Sequence, residues 1–231
     1  MTHCNAVLQL RAQRLENATR PFLARGNRVN RCQRCLLPEI NCLCSTIQPQ
    51  TARSRFCLMM YDTEPMKPSN TGRLIADILP NTLAYQWSRT AFDEKHFLQT
   101  ITQNYQPMVV FPASYAHPDR VVLQQPPKTG KPPLFIMLDG TWTEARKMFR
   151  KSPWLNHFPV ISIEVSTPSQ YTLREAHSDK HHCTAEIAAV LLAQAGDAVA
   201  AKQLSQHFSL FRERYLAGKP HHPVHTQQAT T

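Results

Sequence analysis

The 231-residue sequence lacks any long apolar segment. No run approaches the roughly 18 apolar residues that a bilayer-spanning helix needs, so we expect no transmembrane helix and no membrane partner. The N-terminus also lacks the apolar core of a secretion signal, which argues against export. We therefore expect a cytoplasmic protein, whose cysteines stay reduced rather than forming disulfides.

Glycine is scarce, with only six residues in the chain. Three of them, Gly26, Gly196 and Gly218, follow helix-like segments, as glycines that end helices do. A fourth lies in a loop rich in proline and lysine. The last two, Gly72 and Gly140, lie in the motifs described below.

Acidic residues are fewer than basic ones. The chain has 16 Asp and Glu and 26 Lys and Arg, which gives a net charge of +10. Residues 1–55 hold much of this excess, with nine arginines, no lysine and two acids. Arginine suits phosphate and stacks on bases, so we predict that this segment binds RNA through Arg25, Arg28 and Arg31. The alternative is a solvated basic face.

Four of the seven cysteines fall within thirteen residues, in the pattern C-x2-C-x6-C-x-C. They are Cys32, Cys35, Cys42 and Cys44. Turn-forming residues between the two pairs allow four thiolates to surround one ion, and four protein ligands leave no open position. The pattern therefore predicts a structural Zn²⁺ site. An iron–sulfur cluster and unligated buried cysteines are the alternatives.

Residues 134–148 combine a strand, a turn and a helix. Five apolar residues predict a buried strand, an Asp-Gly pair ends it, and Thr141-x-x-Glu144 is a capping box that starts a helix. Asp139 thus follows a strand, and Trp142 lies at the positive end of a helix. Such positions bind ligands in α/β proteins. A plain strand-to-helix connection is the alternative.

Strand-like and helix-like segments alternate along the rest of the chain. Further strands are predicted at residues 55–60, 82–85, 107–112 and 160–165, and helices at 5–24, 71–79, 93–103, from 184 onward, and at 201–217. This order indicates an α/β fold with a mainly parallel sheet.

The tetrapeptide Asp139-Gly140-Thr141-Trp142 resembles the D-x-T-W signature of the DTW-domain family. Other segments are similar to motifs of the same family: N-T-G-R-L at residues 70–74, a short loop at residues 111–114, S-x-Y-x-L-R at residues 169–174 and T-x-E at residues 184–186. A cysteine cluster is also common there. The sequence departs from the family pattern at positions 61–62, where Tyr-Asp stands in a loop that contains histidine in many relatives.

The resemblance implies a knotted, SPOUT-like catalytic domain over residues 51–217. A basic helix and zinc module would precede it in residues 1–50, and a disordered tail would follow in residues 218–231. The implied reaction transfers the 3-amino-3-carboxypropyl group of S-adenosylmethionine to N3 of a tRNA uridine and releases 5′-methylthioadenosine. In the bacterial members this uridine is position 47, in the variable loop.

Roles for individual residues follow from the resemblance. Asp139 is the natural general base for the N3 proton, with Thr141 and Trp142 beside the reacting atoms. The residues expected to contact the cofactor are Phe111, Pro112, Ala113, Leu138, Gly140, Tyr171, Arg174 and Thr184. Thr184 is also predicted to cap its helix. Asn70 and Arg73 are expected to bind the RNA, with a surface helix charge as the alternative for Arg73.

Two other functions fit these observations. A SPOUT-type methyltransferase would use the same cofactor and RNA, and would release S-adenosylhomocysteine in place of methylthioadenosine. A zinc-containing RNA-binding protein without catalytic activity would bind no S-adenosylmethionine.

Overall fold

A computed structural model describes residues 5–19, 29–128, 130–163 and 182–218. Four of the predicted site residues, Arg25, Arg28, Tyr171 and Arg174, lie outside these described ranges.

The described residues form a six-stranded sheet, whose neighbouring strands are all parallel. The strands are β1 (Arg55–Met60), β2 (Leu83–Gln86), β3 (Gln106–Val110), β4 (Val122–Leu123), β5 (Pro133–Asp139) and β6 (Val160–Ile161). Their order in the sheet is β2-β1-β5-β3-β6-β4. The predicted α/β fold with a parallel sheet is thus confirmed. β5 lies between β1 and β3, which explains its nearly continuous apolar sequence.

Helices cover both faces of this sheet. Within the described ranges they are α1 (Ala6–Glu16), α2 (Gly72–Ile78), α3 (Glu94–Asn104), α4 (Trp142–Lys151), α5 (Thr184–Gln194) and α6 (Ala198–Ala217). Side chains alternate along β1, so Phe56 and Leu58 join the core under α1, α2, α5 and α6, whereas Cys57 and Met59 join the core under α3 and α4. No helix in the described part of the chain combines the length and apolar character needed to cross a bilayer.

Three predicted elements have a boundary that differs from the structure by three residues or more. The predicted helix over residues 5–24 ends at Glu16, where the weak helix former Asn17 is the C-cap. The last helix begins three residues early, at Ala198. β6 covers Val160–Ile161 of the predicted 160–165, and residues 164–165 lie outside the described ranges.

The cysteine-containing segment packs against the sheet domain. Cys35, Leu37 and Leu43 are fully buried and belong to the same hydrophobic cluster as β1 and α6. At the end of α6, a Cβ on Gly218 would lie 3.0 Å from Cγ of Pro38. Packing is therefore continuous across the boundary predicted at residue 50.

Candidate active site and cysteine cluster

The carboxyl ends of β1 and β5 lie side by side, because Met60 is paired with Asp139. Tyr61, the next residue after β1, donates its backbone N–H to the carbonyl oxygen of Asp139 at 2.9 Å. The Asp139 residue itself is only 3% exposed. Its neighbours therefore determine what this carboxylate can do.

Two side chains from distant parts of the sequence donate hydrogen bonds to Asp139. The amide Nδ2 of Asn70 donates to Oδ2 at 2.7 Å, and the hydroxyl of Thr184 donates to Oδ1 at 2.6 Å. A buried carboxylate requires such donors, because burial without them is strongly unfavourable. The three family-like motifs at residues 70–74, 139–142 and 184–186 thus meet at one carboxylate.

The amide of Asn70 is held in a fixed orientation. Its Oδ1 accepts from the backbone N–H of Arg73 at 2.9 Å, while Nδ2 also donates to Oε1 of Glu64 at 3.2 Å. Glu64 is buried and pairs with Lys67. Asn70 therefore bridges two buried carboxylates, and those contacts define which end of the amide is oxygen. Local sequence patterns do not indicate this role of Glu64, because an acid in a turn-rich loop is usually exposed.

Gly72 allows α2 to begin close to this carboxylate. A Cβ at position 72 would lie 2.5 Å from Oδ2 of Asp139, which is closer than any real Cβ contact. Glycine is therefore required here by the close approach of the two segments and not by an unusual backbone angle.

We expect Gly72→Ala to lower the free energy of unfolding by about 1–3 kcal/mol, because the added methyl group must displace Asp139 from Asn70. Urea denaturation measures this change. Gly130→Ala is the matched control, since a Cβ there would meet nothing within 4 Å. Equal stability of the two variants would show that the approach of α2 to Asp139 is not tight in solution.

Thr184 is not the cap of its helix, so that part of the prediction is wrong. Cys183 is the N-cap of α5, and its backbone N–H donates to Oε2 of Glu186 at 2.9 Å. Burial raises the pKa of the Cys183 thiol, which stays neutral. Because Glu186 and Cys183 complete the helix start, the Thr184 hydroxyl is directed to Asp139 instead.

The predicted capping box at the start of α4 is confirmed. The backbone N–H and the hydroxyl of Thr141 both donate to Oε2 of Glu144, each at 2.7 Å. A Cβ on Gly140 would lie 3.1 Å from Cβ of Glu144 and 3.3 Å from Cβ of Tyr61, so the turn is compact. Thr141 and Gly140 therefore shape the strand-to-helix turn beside Asp139.

Aromatic rings line the carboxyl ends of β5 and β3. Phe111 stacks on Trp142 with a centroid distance of 5.5 Å and on Phe149 with a distance of 4.3 Å, each at an interplanar angle of 9°. Tyr115 meets Trp142 edge-on at 5.6 Å. Phe111 is buried between the other rings, whereas Trp142 is the half-buried end of this aromatic column.

The other predicted cofactor contacts lie at the same edge of the sheet. Leu138 is half-buried in β5, and Pro112 and Ala113 follow β3. The backbone N–H of Ala113 donates to the hydroxyl of Ser162, the second residue after Val160, at 3.0 Å. That bond joins the exits of β3 and β6.

Arg73 does not lie where it was predicted. Both expectations, an RNA contact and a surface helix charge, require an exposed side chain. The side chain of Arg73 is only 1% exposed. Its Nη1 pairs with Oδ2 of Asp77 at 3.0 Å, and the guanidinium lies 5.3 Å from the ring centroid of Phe211. The physical reason is that α2 is covered by α1, α5 and α6, so even its polar residues are buried.

Asp77 compensates the buried charge of Arg73. Its carboxylate also contacts His207 Nε2 at 3.2 Å and accepts from the amide of Asn5 at 2.8 Å. Burial alone would raise the pKa of Asp77, but the charge of Arg73 and these hydrogen bonds lower it below the ordinary value. The cluster fixes α2, and with it Asn70 and Gly72, against α1 and α6.

The four clustered cysteines converge as predicted. All four Sγ atoms lie within 4.8 Å of one another, with 3.5 Å between Cys32 and Cys44 and 3.7 Å between Cys35 and Cys42. A tetrahedral ion with Zn–S bonds of about 2.3 Å places its sulfurs roughly 3.8 Å apart. The cluster can therefore hold one zinc ion with four thiolates and no open position.

The local backbone prepares one of these thiols for metal binding. Burial raises the pKa of Cys32, but the N–H groups of Cys35 and Arg34, with the neighbouring thiols, outweigh it and lower the pKa to about 7. Thiolate is the form that binds metal. Arg31, predicted to bind RNA, donates to the carbonyl of Leu36 at 3.0 Å and so supports this turn.

Residues 29–216 match the family model described as the DTW domain. The chain is 27% identical over 166 residues to tRNA-uridine aminocarboxypropyltransferase 2 of Macaca fascicularis, covering 70% of this chain and 55% of that protein. It is 24% identical over 172 residues to the protein of the same name from Drosophila melanogaster, covering 72% and 67%. The chain thus spans about half the length of the Macaca relative. No solved structure gives a significant match.

Proposed function

The chain belongs to the DTW-domain family, and from this we propose that it is a cytoplasmic enzyme that transfers the 3-amino-3-carboxypropyl group of S-adenosylmethionine to N3 of a uridine in tRNA. The names of the relatives support the reaction and the class of RNA. The observation that carries the proposal is a buried carboxylate at the carboxyl end of β5, held on both oxygens by Asn70 and Thr184. Position 47 of the variable loop is the uridine we propose.

The reaction needs a base and a fixed geometry. A bond forms between N3 and the γ-carbon of the transferred group, while the bond from that carbon to sulfur breaks and its electron pair stays on sulfur. The sulfonium thereby becomes the neutral thioether of 5′-methylthioadenosine. The N3 proton leaves at the same time, and Asp139 is proposed to accept it.

Asn70 and Thr184 are proposed to orient the carboxylate of Asp139. Each donates to a different oxygen, so the carboxylate cannot rotate without losing a hydrogen bond. Such orientation lowers the barrier of a reaction that depends on the alignment of two bound reactants. Asn70 was predicted to bind RNA, and its contacts support this orienting role instead.

The aromatic column supplies the proposed wall for the reactants. Trp142 is its half-buried end and lies in the first turn of α4, so it is the ring we propose to contact a base. Leu138, Gly140, Pro112 and Ala113 are the proposed backbone and side-chain contacts to S-adenosylmethionine. Phe111 would act through Trp142, on which it stacks.

Three further proposals concern the fold, the metal and the N-terminal segment. The parallel sheet is compatible with a SPOUT-like knotted arrangement, which we propose for residues 51–217. Zn²⁺ is the metal proposed for Cys32, Cys35, Cys42 and Cys44, because four sulfur ligands suit a structural zinc site. Phosphate contacts by Arg25, Arg28 and Arg31 complete the proposal for the N-terminal segment.

The products of a purified reaction test the proposal. The protein is incubated with S-adenosylmethionine and unmodified tRNA, and the small-molecule products are separated by chromatography. We expect 5′-methylthioadenosine in equal amount to aminocarboxypropyl-uridine. S-adenosylhomocysteine with a methylated nucleoside would assign a methyltransferase, and tRNA binding without S-adenosylmethionine binding would assign a non-catalytic RNA-binding protein.

A further inference from the structure

We infer that the exposed basic face of α4 is the surface on which the tRNA backbone docks. This inference rests on the proposed function, which supplies the RNA partner. The ten residues of α4 include four cations, Arg146, Lys147, Arg150 and Lys151, and one acid, Glu144. The carboxylate of Glu144 accepts hydrogen bonds from Thr141 in the capping box, and the four cations outweigh its single negative charge.

Three of the cations share one side of the helix. Lys147, Arg150 and Lys151 are exposed and are spaced as i, i+3 and i+4, which places them on one face. The buried residues Ala145 and Phe149 lie on the side of α4 that packs on the sheet. Among the residues that the structure describes, no carboxylate forms an ion pair with any of the three cations.

Lys147 connects this face to the candidate active site. Its Nζ donates to the phenol oxygen of Tyr61 at 3.1 Å and lies 5.5 Å from the centroid of that ring and 6.0 Å from the centroid of Trp87. Tyr61 and Trp87 stack at 5.7 Å, which gives the ammonium a rigid support. The backbone N–H of Tyr61 also donates to the carbonyl oxygen of Asp139, so Lys147 contacts a residue that neighbours the proposed base.

The helix dipole does not explain the whole basic face. Cations near the C-terminus of a helix stabilise it, which accounts for Arg150 and Lys151 in the last turn. This effect fades within one turn, so it does not account for Lys147. A row of cations leading away from the site is the charge pattern that an RNA backbone requires, and the whole chain carries a net charge of +10.

The test compares two triple variants that lose the same charge. The first is Lys147→Gln with Arg150→Gln and Lys151→Gln. The control is Lys128→Gln with Lys131→Gln and Lys202→Gln, three exposed lysines near the start of β5 and on α6. Binding of fluorescently labelled tRNA is measured by anisotropy over a series of KCl concentrations, with S-adenosylmethionine affinity and melting temperature measured in parallel.

We expect the α4 variant to bind tRNA roughly 10²-fold more weakly at physiological salt, with a salt-dependence slope reduced by about three. The control variant should keep the wild-type slope, and both should keep their S-adenosylmethionine affinity. Equal losses in the two variants, or no loss in either, would overturn the docking surface.

The same experiment separates this inference from the proposed reaction. If α4 binds tRNA but the wild-type protein forms no aminocarboxypropyl-uridine, the docking surface stands and the proposed transfer fails. If the wild-type protein modifies tRNA and the α4 variant does so equally at subsaturating tRNA, the docking surface is wrong. Wild-type protein that binds no tRNA overturns both.

Discussion

Asp139→Asn is expected to lower the rate of uridine modification by about 10²- to 10⁴-fold, while the protein still folds and binds S-adenosylmethionine. An asparagine here has nearly the same shape. Its carbonyl can accept from Asn70, and its NH₂ can donate to Thr184, whose hydroxyl both donates and accepts. The hydrogen-bonded cluster therefore survives, and only the proton acceptor is lost.

Asp139→Ala provides the matched comparison for a purely structural role. It leaves the buried donors of Asn70 and Thr184 without this acceptor, at about 1–3 kcal/mol for each donor left unpaired. Single-turnover rate, melting temperature and S-adenosylmethionine affinity are measured for both variants. If the activities of the two variants fell only in proportion to their stabilities, the role of Asp139 would be structural and not catalytic.

High pH gives a second readout for the same residue. Uridine N3 is a weak acid, and at high pH it loses its proton without help from a base. Part of the activity of Asp139→Asn should therefore return as the pH is raised. A variant that folds, binds S-adenosylmethionine and reacts at nearly the wild-type rate at neutral pH would remove Asp139 from the role of base.

Cys35→Ser is expected to destabilise the protein by several kcal/mol, because metal binding by the four cysteines is coupled to folding. Cys35 is fully buried and packs in one cluster with Leu37 and Leu43, so loss of the metal would open the core that joins this segment to β1 and α6. Urea denaturation and elemental analysis together measure the effect. A chelator should lower the melting temperature of the wild type and change that of Cys35→Ser little.

Cys57→Ala is the control for loss of a buried thiol. Cys57 is equally buried, but it lies in β1 and packs in the hydrophobic cluster under α3 and α4. That cluster contains none of the four clustered cysteines. We expect this variant to retain zinc. Anaerobically purified wild-type protein without zinc would contradict the site, and iron with inorganic sulfide in its place would assign an iron–sulfur cluster.

Local patterns in the sequence were sufficient to predict two parts of the site. The capping box predicted the start of α4 because Thr141 and Glu144 interact within one helical turn. The cysteine cluster was predictable because its ligands lie within thirteen residues. In both cases the interacting groups are close in the chain, so their spacing alone defines their geometry.

Contacts between distant segments could not be predicted from such patterns. Asn70 and Thr184 lie 69 and 45 residues from Asp139, and only the order of the strands brings them to it. The burial of Arg73 follows from the helices that cover α2, which no local pattern of charges indicates. Threonine suits a helix N-cap, so the local pattern predicts Thr184 there. In the structure Cys183 is the N-cap, and the Thr184 hydroxyl donates to Asp139.

The most direct test of the proposed function is mass spectrometry of tRNA nucleosides from cells that lack this gene. The deletion strain is complemented with the wild-type gene or with Asp139→Asn expressed at the same level. We expect aminocarboxypropyl-uridine to disappear on deletion, to return with the wild type and to stay absent with Asp139→Asn. An unchanged amount of aminocarboxypropyl-uridine in the deletion strain, or loss of a methylated nucleoside in its place, would contradict the proposed reaction.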